Sequence, residues 1–282
     1  MRKEIDKYLP PCTYQGGKQR LAEQICDFIE EKVPTNFVFY DLCCGSGAVS
    51  LEMLHRNHKV VMIDKGPYGY FWESIANGTF DLNIFDEELN KLPKIEDIQS
   101  YLKELSLKPI DEKLFVYHYI LLQAGSFGGK QIWVKNGKWC NNTFRSYWLP
   151  TETSNRRSPV NPMLPMPDTI LYRVKKILSI DKEMIEAHPI DIKDSFGIIV
   201  DDIREKVVYI DPPYQNTTGY FDKFDIYEII SKFTNVDLFI SEGCNLDGFE
   251  NHILSEGRKK GNISGNVKKN AVVEILNYRL AK

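Results

Sequence analysis

The chain has 282 residues, 43% of them hydrophobic and 27% charged, which suits one large domain or one domain with a sizeable insertion. No apolar run approaches the roughly 18 residues that span a bilayer, the Met1–Asp6 start is polar, and six cysteines without a CxxC pair do not form a disulfide framework. A net charge of −3 gives no global pull toward nucleic acid, so the expectation is a cytoplasmic protein with reduced thiols and no membrane segment.

The chain opens with a loop, Pro10 to Lys18, containing Tyr14-Gln15-Gly16-Gly17-Lys18. A helix follows, with Leu21, Ile25, Phe28 and Ile29 on one face. The Gly-Gly-Lys is not a phosphate loop, because Cys12 and Gln19 stand where that motif needs Gly and Ser or Thr. It is either a turn that lets backbone approach a ligand or a tight turn before the helix. Residues Phe37 to Leu42 read as a strand, followed by Cys43-Cys44-Gly45-Ser46-Gly47 and a helical start. The second strand, Lys59 to Asp64, ends in an acid 19 residues after Gly45. Strand, glycine turn, helix, strand and acid together fit a nucleoside cofactor whose ribose hydroxyls Asp64 can bind. Ser50 occupies the place of the third glycine of a dinucleotide fingerprint, so a single nucleoside fits better than NAD.

Residues 65–200 abandon this alternation. Ile84 to Leu107 read as charged helices and loops, and Phe115 to Leu122 as an apolar helix or buried segment. From Ser126 to Val160 there are six cations (Lys130, Lys135, Lys138, Arg145, Arg156, Arg157) against one acid, Glu152. Trp133, Trp139, Phe144, Tyr147 and Trp148 are interleaved with them. Cations among aromatics suit phosphate contacts with base stacking. The alternative is a small hairpin subdomain with core tryptophans. A second basic run, Gly257 to Val273, carries five cations and no acid. Helix Thr169 to Leu178 and a strand-like Met184 to Ile192 lead to Lys206 to Tyr214, the most informative stretch of the chain. Val207 to Ile210 form a buried strand that stops at Asp211-Pro212-Pro213-Tyr214, since two prolines cannot continue a ladder. That strand end offers acceptors and a stacking ring without a nucleophile, which suits a planar amine. Helix Tyr227 to Phe233, strand Val236 to Ser241 and strand Val272 to Leu280 complete the chain. One sheet therefore spans both ends of the sequence.

With these elements placed, the chain resembles the Dam-type DNA adenine-N6 methyltransferases. Four segments carry the resemblance: Tyr14-x-Gly16-Gly17-Lys18, Asp41-x-x-x-Gly45-x-Gly47, Asp211-Pro212-Pro213-Tyr214 and Val273 to Asn277. Cys43 departs from the family, which more often has an aromatic there. The resemblance implies an α/β fold with a Rossmann-like, mostly parallel methyltransferase sheet. It has one antiparallel strand near the C-terminus and an inserted DNA-recognition subdomain. Residues 1–65 and 195–282 would form the catalytic domain, and 66–194 the insertion, with its basic and aromatic core at about 115–167. By resemblance the cofactor is S-adenosyl-L-methionine, held by Tyr14, Gly16, Lys18, Asp41, Gly45, Gly47, Asp64 and Asp191. Asp211 and the Pro212 carbonyl would accept the amine, and Tyr214 would stack on a base turned out of the duplex. Lys130, Lys135, Arg145, Arg156 and Arg157 would bind double-stranded DNA. The reaction implied is direct displacement onto adenine N6, with a restriction endonuclease as a possible partner; an RNA substrate, or an inactive DNA-binding relative, is the alternative. Cytosine C5 chemistry is excluded because the only Pro-Cys, Pro11-Cys12, lies upstream of the cofactor loop. No metal site is expected: the five histidines form no ligand spacing, and His55 and His58 read as helix-surface residues.

Overall fold

A computed structural model describes residues 7–212, 225–255 and 273–281. Alternation along the strands explains how the sheet is covered. Every residue of β1 (Val38–Leu42) is buried, because Phe39 packs on one side of the sheet and Val38, Tyr40 and Leu42 on the other. β2 (Lys59–Ile63) and β6 (Lys206–Ile210) split the same way: Val60, Met62, Val207 and Tyr209 join the first face, Val61, Ile63, Val208 and Ile210 the second. The first face is covered by α1 (Ala22–Lys32), α2 (Ala48–His55) and α3 (Pro67–Ala76). The second is covered by α8 (Phe196–Asp201) and α9 (Ile226–Ile230).

Adding β5 (Ile185–His188), β7 (Asp237–Glu242), β8 (Glu250–Ser255) and β9 (Glu274–Arg279) gives seven strands in the order β5-β2-β1-β6-β7-β9-β8. The first five are parallel, and β9 runs antiparallel to both neighbours. The predicted mostly parallel sheet with one reversed strand near the C-terminus is therefore present. The chain leaves β1 toward β2 on one side and returns to pair β6 on the other, so the switch point of the sheet lies between β1 and β6.

Between β2 and β5 the chain also forms α4 (Leu82–Asn90), α5 (Ile98–Leu107), α6 (Phe115–Gly125), the hairpin β3 (Trp133–Lys135)–β4 (Lys138–Cys140), and α7 (Pro167–Leu178). Two expectations need correction here. The sheet takes β5 from inside 66–194, because Ile185 to His188 pair with Val60 to Ile63. The strand signal over Met184 to Ile192 is correct, but nothing local marks its pairing with β2 at the edge of the sheet. His58 is not on a helix surface: it is 8% exposed, stacked on Phe37 and bonded to Glu30 at 2.9 Å.

Candidate active site

A cleft of about 1370 Å³ opens at the carboxyl ends of β1, β2 and β6. Strand parity brings Asp41, Asp64 and Asp211 to it together, since each continues the alternation of Phe39, Met62 and Tyr209 on the first face. The loop Tyr14–Lys18, the turn Cys43–Ser46 and the segment Ile190–Lys193 complete its walls on the sheet side.

The glycine turn is built for close approach. Gly45 and Gly47 both have positive φ, 49° and 72°. A Cβ at Gly45 would come within 2.9 Å of the Tyr14 ring, and one at Gly47 within 2.5 Å of Trp72. Cys43 also sits at φ 67°, an uncommon conformation for a residue with a side chain. Trp72 Nε1 donates to Gly45 O at 2.9 Å, and Asp64 accepts the Gly45 N–H at 2.9 Å and the Gly66 N–H at 2.7 Å. Burial pushes the Asp64 carboxyl up, against those two amides. Asp64 therefore holds the turn as well as lining the cleft.

Asp41 is 1% exposed, and its Oδ2 accepts from Ser50 Oγ at 2.6 Å. Its Oδ1 has no hydrogen-bond partner among the described residues. Burial raises its pKa to about 7, opposed by Ser50 and reinforced by Asp211 and Asp64. A buried, unpartnered acceptor facing a cleft fits a cationic group on a ligand. Asp191 lines the same cleft; burial raises its pKa, but the Lys193 N–H and the Lys65 ammonium at 3.0 Å outweigh that and leave it lowered.

Asp211, one-fifth exposed, has its carboxylate 2.5 Å from Lys18 Nζ. Burial pushes its pKa up to about 6, with Lys18 pulling down and Glu274 pushing up. Lys18 is 6% exposed and reaches Glu274 at 3.5 Å and Gly16 O at 3.2 Å. Burial alone would lower its pKa, but Asp211 and Glu274 hold it above the ordinary value. Lys18 lines the cleft, and its ammonium lies on the predicted catalytic carboxylate. Glu274 gets there because β9 is antiparallel, so its first residue lies at the carboxyl ends of the parallel strands. Pro212 is buried and lines the cleft, whereas Tyr214 lies outside the described residues. Cys12 is 1% exposed, within 3.1 Å of the Tyr68 hydroxyl, and burial pushes its pKa up to about 12. It is a protonated core thiol at neutral pH.

The segment between β2 and β5 supplies the outer wall: Tyr70, Phe115, Trp133, Val134 and Gly137. Trp139 is core, stacked on Phe115 at 5.2 Å, while Trp148 is exposed, so the tryptophans divide between the two readings of this stretch. Lys130, Lys135, Arg156 and Arg157 are exposed. Arg145 is partly buried; burial and nearby Arg156 lower its pKa. This wall is laced to the N-terminal loop: Gln15 N donates to Gly129 O at 2.7 Å and Thr13 N to Leu164 O at 2.9 Å. The fully buried Gln123 ties the wall's own loop together, donating to Gly129 O and Lys130 O and accepting from Ile132 N. Sequence reading missed Gln123, Lys65 and Glu274. The terminal strand carried a motif signal, but nothing marked which of its residues turns inward.

A mostly parallel sheet covered on both faces, with a glycine turn and an acidic cleft at its switch point, is consistent with a methyltransferase fold. Residues 14–119 match the family model described as D12 class N6 adenine-specific DNA methyltransferase, a span that includes the glycine turn and Asp64 but ends before Asp211. Over that span the chain is similar to an enzyme class that moves a methyl group onto adenine N6 in DNA. Comparison with curated proteins gave no match. Among the described residues, no helix is long and apolar enough to cross a membrane.

Proposed function

We propose that the chain methylates adenine at a specific double-stranded DNA sequence, with S-adenosylmethionine as the donor, by extruding the base and displacing the methyl directly. The observation that carries this reading is the cleft itself. One half holds a glycine turn with the unpartnered Asp41 Oδ1; the other holds Asp211 and Pro212. The donor fits the first half: Asp41 would accept its ammonium, Gly45 and Gly47 would make room for it, and Asp64 and Asp191 would bind its nucleoside. Bound there, S-adenosylmethionine supplies an electrophilic methyl on a sulfonium.

Asp211 and the Pro212 carbonyl each accept one N–H of the adenine amine. That draws its lone pair out of ring conjugation and aims it at the methyl. The rest is alignment in a dry site. Tyr214 stacks on the extruded base. The region between α3 and β5 forms the recognition unit of the predicted insertion, with Lys130, Lys135, Arg145, Arg156 and Arg157 on the phosphates. A cytoplasmic setting and a restriction endonuclease acting on the same sequence belong to the same proposal.

The experiment is direct. DNA from cells expressing the chain is sequenced with detection of N6-methyladenine, and purified Asp211→Ala is assayed beside it. The expected result is a methylated motif with the native chain, no transfer with Asp211→Ala, and donor binding retained in that variant. Transfer by Asp211→Ala would overturn the mechanism.

A further inference from the structure

We propose that Lys18 and Glu274 form a gate for the adenine amine, with Glu274 as a positioning residue. This rests on the reading of Asp211 as the amine's acceptor. Lys18 Nζ sits 2.5 Å from Asp211 Oδ1, so an N–H donor already occupies an acceptor that the adenine amine needs. An ammonium that is 6% exposed cannot move aside into water at low cost; it needs another carboxylate. Glu274 provides one at 3.5 Å, and a shift of about 1 Å brings Lys18 into full hydrogen-bonding range of it. Before the base arrives, Lys18 keeps the buried Asp211 ionised. When the amine enters, Lys18 moves to Glu274 and leaves Asp211 to the substrate, while the ammonium stays close enough to hold Asp211 charged.

The three residues come from the N-terminal loop, the end of β6 and the start of β9, and so meet only in the folded protein. Glu242, Asp41, Tyr209 and Cys43 are the other ionisable groups that act on Asp211 or feel its charge.

The test uses the full chain and a duplex carrying the methylated motif found by sequencing. Single-turnover methyl transfer is measured at saturating donor and duplex, with S-adenosylhomocysteine affinity measured by calorimetry. Glu274→Gln is expected to slow transfer about tenfold with product affinity changed less than about twofold, and Glu274→Asp to recover part of the rate. The deciding comparison is a double-mutant cycle. In a Lys18→Met background, Glu274→Gln should cost less than about twofold, because nothing remains to be drawn off Asp211. If Lys18→Met lacks measurable turnover, the ratio of duplex affinities with adenine and with purine, its analogue without the amine, at the target position gives the same cycle by anisotropy. A full-rate Glu274→Gln overturns the gate, and so does an equal loss from Glu274→Gln in both backgrounds. Either result with an inactive Asp211→Ala leaves the acceptor reading standing, whereas active Asp211→Ala removes that reading itself.

Discussion

The cleft and the outer wall built between β2 and β5 use charge in opposite ways. In the cleft, Asp41, Lys18 and Asp211 are largely out of water and are held by specific short contacts to Ser50, to Asp211 and Glu274, and to Lys18 respectively. On the wall, Lys130, Lys135, Arg156 and Arg157 are exposed, and Arg156 and Arg157 turn to backbone carbonyls in their own loop. Buried charges interact strongly and specifically, whereas exposed ones are screened within about 8–10 Å at physiological salt and act as a group. The comparison teaches that single substitutions should be decisive in the cleft and graded on the wall.

The sharpest test is Asp211→Asn, which keeps the shape but loses the charged acceptor. Single-turnover transfer should fall by about 10²–10⁴-fold while donor affinity changes little; a loss of only a few fold would erase the contrast. Next is Asp41→Asn, expected to weaken donor binding about 10–100-fold in calorimetry, since it removes a charge-assisted hydrogen bond.

The pH dependence follows from the two raised carboxyls. Asp211, at about 6, must be ionised to accept the amine, so single-turnover transfer should fall toward tenfold per unit below about pH 6 and level off above it. Asp41, at about 7, must be ionised to hold a cation, so donor binding should strengthen as pH rises through about 7 and release a proton on the acid side. Binding that is flat between about pH 6 and 8 would show that the donor does not use Asp41.

The smallest expected effects are on the wall. Arg145→Ala and Arg156→Ala should each weaken DNA binding only a few fold at moderate salt and reduce the salt slope by about 1. Fluorescence anisotropy over a salt series measures both, and an unchanged slope would remove these residues from the DNA interface.

Much of the sheet was legible because its strands carry local signals. Val38 to Leu42, Lys59 to Ile63 and Lys206 to Ile210 are apolar runs that stop at glycines, an acid or prolines. α3 and β8 were not legible. Tyr68-Gly69-Tyr70 breaks the helical pattern of the first, and β8 leaves Glu250 and Asn251 exposed at a sheet edge. Asp64 and Asp211 could be picked out because each directly follows a strand, whereas Asp41 lies inside β1 and Asp191 beyond the end of β5. Their pairing could not be picked out. Lys18 and Asp211 are 193 residues apart, and nothing local marks one as the other's counter-ion. Asp191 and Lys65 likewise meet only because β5 lies beside β2.

The hydrogen bonds from Thr13 and Gln15 to Leu164 and Gly129 bear on retargeting the protein. A chimera that exchanged residues 126–164 for another chain's would pull these backbone carbonyls away from their donors unless the graft kept the same main-chain path. Leaving those donors unmatched costs about 1–3 kcal/mol each where they are buried. On the proposed reading, the recognition module is therefore discontinuous: residues 13–18 and Gln123 would travel with the graft to keep the loop beside the cleft in place.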